Sequence, residues 1–185
     1  MKIQIIGASG TGKSTLARYL SEKTGVYWID TDKYLWKDSS FTENYPVEDR
    51  FRMYNDDMAN HQDYIVSGSV HSWNPGGFND RELLVLLMVD EDTRMKRIYD
   101  REFASFGARM LPGGDHYQLT REFLDWCRTY LTEDENTIDS LANHRLRLQE
   151  ASCKTLVLDG NLPVDALYAH VLNAYWADRM NDPTK

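Results

Sequence analysis

The sequence predicts an α/β fold, a three-layer α/β/α sandwich around a five-stranded parallel sheet. Three observations lead there. Five short apolar runs alternate with helical stretches, the pattern of strands buried on both faces and joined by crossover helices. The first run opens into Gly-Ala-Ser-Gly-Thr-Gly-Lys-Ser over Gly7–Ser14, a complete G-x-x-x-x-G-K-[ST]. The chain's 185 residues suffice for one such domain with a full core, but not for two and a linker.

The first strand, Ile3–Ile6, runs directly into that motif. Gly7, Gly10 and Gly12 let the backbone curl so that successive N–H groups aim at phosphate oxygens. Ala8, Ser9, Thr11 and Thr15 complete the loop. Lys13 is expected to reach the β/γ-phosphates of a nucleoside triphosphate, and the Ser14 hydroxyl to ligate magnesium. A helix over Ser14–Thr24 places Leu16, Ala17 and Leu20 on one face, and Gly25 stands where a helix terminates.

The second strand, Val26–Ile29, precedes Asp30-Thr31-Asp32. Residues i and i+2 of an extended segment point the same way, so both carboxylates share one side. Asp30 is assigned to a magnesium-bound water and Asp32 to accepting a proton from an attacking hydroxyl. The stretch Thr31–Asp63 is long for a single crossover and mixes Tyr34, Trp36, Phe41 and Tyr45 with charges. It is expected to contain a helix over Val47–Asn60 and to bind the acceptor, with Arg50 or Arg52 meeting an acidic group.

The third strand, Tyr64–Ser67, continues as Gly68-Ser69-Val70-His71-Ser72-Trp73. Strand C-termini form the ligand crevice of open parallel sheets, which makes Gly68 and Ser69 acceptor contacts. His71 is not needed as a base beside a carboxylate. After the fourth strand, Leu83–Val89, Arg94, Arg97 and Arg101 fall at i, i+3, i+7 and share a helix face, with Arg94 expected in solvent. Arg101 and Arg109 flank a loop expected over Asp100–His116 that contains Pro112-Gly113-Gly114, a hinged lid able to lower cationic forks onto phosphates.

A stripe of Phe123, Leu124, Cys127, Tyr130 and Leu131 predicts a helix starting near Asp115 or Thr120. Ile138, Leu141, Arg145 and Leu148 suggest another, ahead of a buried fifth strand at Thr155–Leu158. Pro163 then opens a final helix with Val164, Leu167, Tyr168, Val171, Leu172 and Tyr175 inward. Of the tryptophans, Trp28, Trp126 and Trp176 are expected in the core, and Trp36 and Trp73 around the acceptor pocket.

Composition narrows the partners. The net charge of −8 gives no general basic surface for nucleic acid or anionic membrane. Cys127 and Cys153 form no C-x-x-C, and five histidines form no H-E-x-x-H. No apolar run approaches the ~20 residues that span a bilayer, and the N-terminus lacks a signal-peptide pattern. The expectation is a cytoplasmic protein with a small-molecule acceptor, a monomer or a homodimer.

Taken together, the Gly7–Ser14 loop, the Asp-Thr-Asp after strand two, the arginines after strand four and Leu158-Asp159-Gly160-Asn161-Leu162-Pro163 resemble the small P-loop kinases. These are of the adenylate kinase and shikimate kinase type, including the adenylate-kinase-like topology modulators. The resemblance implies strand order 2-3-1-4-5 and one domain over residues 1–185, with an acceptor-binding insertion about 31–63 and a lid about 100–116. It also implies ATP and magnesium as cofactors, and places Asp159–Pro163 beside the adenine base. Nucleoside monophosphate kinases end strand three with Asp-Gly-aromatic-Pro-Arg, absent here, which argues against adenylate kinase itself. The Asp30/Asp32 pair is similar to that of shikimate kinases, although their triple glycine after strand three is reduced to Gly68.

The resulting expectation is ATP- and magnesium-dependent phosphoryl transfer to a small metabolite, nucleoside or nucleotide. The alternative is a nucleotide-binding regulatory protein with slow intrinsic hydrolysis. A GTPase is disfavoured, because N-K-x-D and D-x-x-G are both missing.

Overall fold

Five apolar runs form the strands β1 (Lys2–Ile6), β2 (Trp28–Asp30), β3 (Tyr64–Ser67), β4 (Leu83–Met88) and β5 (Lys154–Asp159) in a computed structural model that describes residues 1–38 and 43–177. All pair in parallel, in the order β2-β3-β1-β4-β5. Between and after them run α1 (Lys13–Thr24), α2 (Asp32–Leu35), α3 (Val47–Asn60), α4 (Glu91–Phe106), α5 (Tyr117–Arg128), α6 (Leu141–Glu150) and α7 (Val164–Ala177). Short 3-10 turns follow α4 at Gly107–Met110 and α5 at Thr129–Leu131.

Strand periodicity divides the core. Ile3 and Ile5 of β1 and Leu83, Val85 and Leu87 of β4 face one way, onto Leu16, Ala17 and Leu20 of α1 and Leu167, Val171 and Tyr175 of α7. Ile6, Leu84 and Leu86 face the other way, onto Leu148 of α6. A third cluster joins Ile29, Tyr64 and Val66 to Tyr34 and Phe78, with Met53, Tyr54 and Met58 of α3 against it. Each fully buried aliphatic or aromatic side chain contributes about 1.5–3 kcal/mol relative to exposure, so these layers fix the strand ends from which the site is built.

Several expectations are corrected. The fifth strand is buried only in part: Val157 is 55% exposed, and Thr155 is exposed too. These residues pair with Leu86 and Leu84, but α6 covers the sheet nearer its centre and leaves the outer face of this edge strand open. The expected loop over Asp100–His116 is helical for its first residues, because α4 continues to Phe106 before the Gly107–Met110 turn. α5 begins at Tyr117, between the two anticipated starts. α6 begins at Leu141, where the Ser140 hydroxyl accepts the Asn143 N–H at 2.9 Å and caps the helix, leaving Ile138 outside and exposed. Trp126, Trp176 and Leu131 are exposed rather than core. Phe41 lies outside the described residues. Among the described residues no helix is long and apolar enough to cross a membrane.

Candidate nucleotide site

The loop between β1 and α1 is drawn tight around one carbonyl. Ala8 O accepts the Thr11 N–H at 3.4 Å, the Thr11 hydroxyl at 2.9 Å and the Lys13 ammonium at 2.9 Å. Gly10 sits at φ +82°, and a Cβ there would lie 2.8 Å from the Arg94 carbonyl oxygen, so no side chain fits where α4 crosses the loop. Gly12, the residue that starts α1, has no side chain to cap the helix, and no acidic residue occupies the first turn. Ser14 and Thr15 are exposed. The free N–H groups and the positive dipole end of α1 therefore have no anionic partner from their own helix start, which is the arrangement an anion fills.

β2 delivers the carboxylates. Thr31 closes β2 onto β3 by donating its N–H to Ser67 O at 3.0 Å, and α2 then starts at Asp32. Gly68 lies at φ +103°, and a Cβ would meet the Thr31 hydroxyl at 2.1 Å, so the glycine is required by this close approach of the two strand ends. Asp30 Oδ1 accepts the Asp32 N–H at 3.2 Å, holding the pair as one turn. Asp32 stays accessible at the start of α2. Even so, withdrawal from bulk water, followed by repulsion from Asp30, pushes its carboxyl pKa up.

Lys13 is the electrostatic centre. Desolvation pulls its ammonium pKa down, while attraction to Asp139, Asp32 and Asp30 pushes it up and Arg101 pushes it down again. Lys13 thus feels Asp30, Asp32 and Arg101, three of the residues singled out by the sequence, together with Asp139. Arg101 also donates its Nε and Nη2 to Glu102 at 3.2 and 3.0 Å and lies over the Phe123 ring. Arg109 is not brought there: its Nε and Nη2 hold Asp115 at 2.8 and 2.9 Å on the surface. Arg50 donates to Tyr45 O at 2.8 Å and to Asn44, fastening the chain ahead of α3. Arg52 pairs with Asp49 along that helix. Trp73 packs against the α3 cluster, and its indole N–H is buried without a partner.

Arg94 overturns the expectation of a solvated charge: it is only 1% exposed. Its Nη2 donates to Cys127 O at 2.7 Å and its Nη1 to Ser9 O at 3.4 Å, and its guanidinium lies over the Tyr130 ring at 5.1 Å. The inward residues of α4 are Arg94, Ile98 and Glu102, so the buried row runs at i, i+4, i+8 rather than through Arg97 and Arg101. The lone aliphatic Ile98, four residues on, was the available signal. Arg97 instead donates to Gly160 O and to Asn161 Oδ1, each at 3.1 Å. A Cβ on Gly160 would lie 2.6 Å from Thr11 O, which puts the Asp159–Pro163 turn directly against the phosphate loop.

Asp139 was missed altogether. It adopts φ +63°, and its carboxylate lies 3.5 Å from His144 Nε2. Burial raises its carboxyl pKa, but His144 and Lys13 more than offset this and hold it below the ordinary range. Nothing in the pattern marked it, because it lies between helices and approaches the loop from a distant part of the chain.

The residues present suit a magnesium nucleotide. Among the described residues no three carboxylate, histidine or cysteine side chains gather as a metal cage. Magnesium at phosphates takes only one or two protein oxygens beside the phosphates themselves, which Ser14 and Asp30 are able to supply.

A phosphate-loop motif on this strand order defines a P-loop α/β protein with the fold of the small kinases. The chain belongs to the AAA-domain family, whose model (AAA_18) matches residues 3–104. It is 32% identical over 171 residues to "Uncharacterized protein YqaC" of Bacillus subtilis (strain 168), covering 92% of this chain and 95% of that one. The fold is similar to that of a gluconokinase from Sinorhizobium meliloti 1021 (TM-score 0.56, 15% identity, 97% of this chain and 94% of that chain). It is also similar to shikimate kinases from Bacteroides thetaiotaomicron (TM-score 0.54, 16%, 92% and 96%) and Acinetobacter baumannii (TM-score 0.53, 14%, 95% and 93%).

Proposed function

We propose that the protein transfers the γ-phosphoryl group of ATP to a hydroxyl of a small metabolite, with magnesium. The observation that carries this reading is the open start of α1, which carries Lys13 and is ringed by Asp30, Asp32 and Arg101. Phosphoryl transfer needs charge stabilisation and positioning rather than covalent chemistry, and this edge offers both. Gly7–Thr15 holds the phosphates through backbone N–H groups, and Lys13 stabilises charge on the moving group. Ser14, and Asp30 through a bound water, would hold magnesium, which would supply further neutralisation there. Asp32, whose raised pKa brings it nearer to working as a base, takes the proton of the acceptor hydroxyl.

The acceptor lies between Asp32 and the end of β3 at Gly68, with Arg50 and the 31–63 insertion forming its outer wall. Closure of the 100–116 segment about Gly107 and Gly113 brings Arg109 towards the phosphates beside Arg101 and excludes water. Asp159–Pro163, packed on Thr11, receives the base. The fold's likeness to gluconokinase and shikimate kinases favours a hydroxylated acid as acceptor, with a nucleoside or nucleotide next.

The test is magnesium-dependent ADP release from ATP in the presence of pooled hydroxy acids, sugar acids, nucleosides and nucleotides. One pool that stimulates release strongly, with Lys13→Ala inactive, supports the kinase. Uniformly slow release from a protein that binds ATP tightly replaces it with a nucleotide-gated regulatory protein.

A further inference from the structure

Behind the sheet, on the face away from α1, lies a cavity of about 220 Å³. Its floor is Gln4, Ile6 and Leu84, and its walls carry His71 and Arg81 from the β3–β4 connection and Arg147 from α6. None of these belongs to the phosphate loop. Two guanidinium groups and an imidazole therefore face one small space in a chain of net charge −8.

The local charges do not balance. Arg147 Nη2 pairs with Glu150 at 2.9 Å, and its Nη1 donates to the His71 ring, which therefore acts as a neutral acceptor. Arg81 donates Nη1 to Phe78 O at 3.1 Å and makes no ion pair among the described residues. One carboxylate thus serves two guanidinium groups. The Nε atoms of both Arg81 and Arg147 are buried with no hydrogen-bond partner. Unpaired buried donors on charged groups are costly, and such sites are kept where something compensates them. Desolvation and the neighbouring Arg147 also hold the His71 pKa below its usual value, as expected where positive charge is in excess.

We propose that this cavity is a second anion site, which binds a small metabolite through one carboxylate or phosphate group held by Arg81 and Arg147. Guanidinium forks are the side chains best shaped for such oxyanions. The volume falls below the roughly 300–1,000 Å³ of sites for drug-sized ligands, which restricts the ligand to a few carbons. Ile6 and Leu84 provide an apolar floor for its non-polar part.

The test is isothermal titration calorimetry of the full chain at fixed ionic strength with three probes: inorganic phosphate, glycerol 3-phosphate and succinate. At least one is expected to bind saturably, with a Kd of about 1 mM or below. Arg81→Gln should weaken that binding at least tenfold, while Lys13→Ala leaves it unchanged. Asn79→Trp, which enlarges an exposed side chain of the cavity lining and leaves both arginines in the sequence, should do the same and decides the matter where Arg81→Gln does not fold. Binding of succinate or of the phosphates alone identifies which oxyanion the site takes. Absence of binding by all three probes overturns the proposal. Binding that survives both cavity variants, or that Lys13→Ala alone removes, overturns it as well, since the anion then sits at the phosphate loop.

Discussion

α1 and α4 leave the same edge of the sheet from the adjacent parallel strands β1 and β4, and they begin in opposite ways. α4 closes its own start. The Asp90 carboxylate accepts the Thr93 N–H at 2.9 Å, and Glu91 and Asp92 fill the first turn. α1 starts at a glycine, with no side-chain cap and no acid in its first turn. The ionisable groups follow the same division. Hydrogen bonds from Thr93 hold Asp90 below the ordinary carboxylate range, so its charge is stabilised where it stands. Lys13 and Asp32 are both shifted towards their neutral forms, chiefly by loss of water. In a chain with 29 acidic residues the first turn of α1 holds none, as the proposed function requires; α5 is likewise open, but without a phosphate-loop motif ahead of it. Residues at α4 serve the fold, and residues at α1 are held at some cost to it.

The largest effect expected from this contrast is at Lys13. Lys13→Ala should lower turnover by a factor of at least about 100, equivalent to about 3 kcal/mol of transition-state stabilisation. Its Tm should be unchanged or higher, because the ammonium is desolvated in the native state. Steady-state ADP release and a melting curve on the same sample check both halves. A folded variant with near-normal turnover would remove Lys13 from the chemistry.

Asp32→Asn comes next. Turnover should fall roughly 10–1,000-fold with loss of the proton acceptor, yet the fold should gain stability at neutral pH. The sign follows from the raised pKa. A carboxyl whose pKa is higher in the native state contributes its full stability below its unfolded value, about 3.9, and that contribution is lost as pH rises through the native value. The Tm advantage of Asp32→Asn should therefore be absent in acid and appear as pH rises through that window. An advantage that shrinks with rising pH would contradict the assigned environment.

Thr15→Asp gives α1 the acid that α4 already has. The carboxylate, in the first turn, satisfies free N–H groups and opposes the dipole. ATP affinity should fall roughly tenfold while the ligand-free protein melts slightly higher. Calorimetric titration of ATP against wild type measures it, and equal affinity would mean that the phosphates sit elsewhere.

The site was legible in the sequence to the extent that its chemistry is local. Gly7–Ser14 and Asp30-Thr31-Asp32 each lie within a few residues, but Asp30 and Asp32 are not an extended i, i+2 pair: Thr31 turns at φ −68°, ψ −18°, and Asp32 opens α2. The final helix from Val164 is plain, because it presents a continuous stripe and a proline start, whereas the helix over Val47–Asn60 buries no residue fully. Arg94 was misjudged because an arginine row can be grouped by threes or by fours, and only the crossing of α4 over Gly10 selects the second. Asp139 and Arg81 were not marked at all. Each lies in a connection, and its neighbours are set by the packing of segments far apart in sequence. Val157 shows the converse limit: it looks like a core strand residue, but whether a helix covers an edge strand is decided by where that helix packs, not by the strand.

The smallest effect separates the two helix starts most cleanly. Asp90→Ala removes the cap of α4, and for a chain of this size losing one cap should lower the Tm by about 2–4 °C. ATP affinity should change much less than stability, because α4 uses its own acids where α1 leaves room for phosphate, and Asp90 reaches the Asp159–Pro163 turn only through one hydrogen bond from Asn161 at 3.3 Å. The pH dependence must run opposite to that at Asp32. Asp90 is held below its unfolded value, so its contribution is present above about pH 3.9 and is lost as pH falls through the lower native value. The Tm gap between wild type and Asp90→Ala should therefore be full at neutral pH and close in acid. An ATP affinity that falls as steeply as in Thr15→Asp would show that the start of α4 shapes the nucleotide site, through Asn161 or through the crossing of α4 over Gly10.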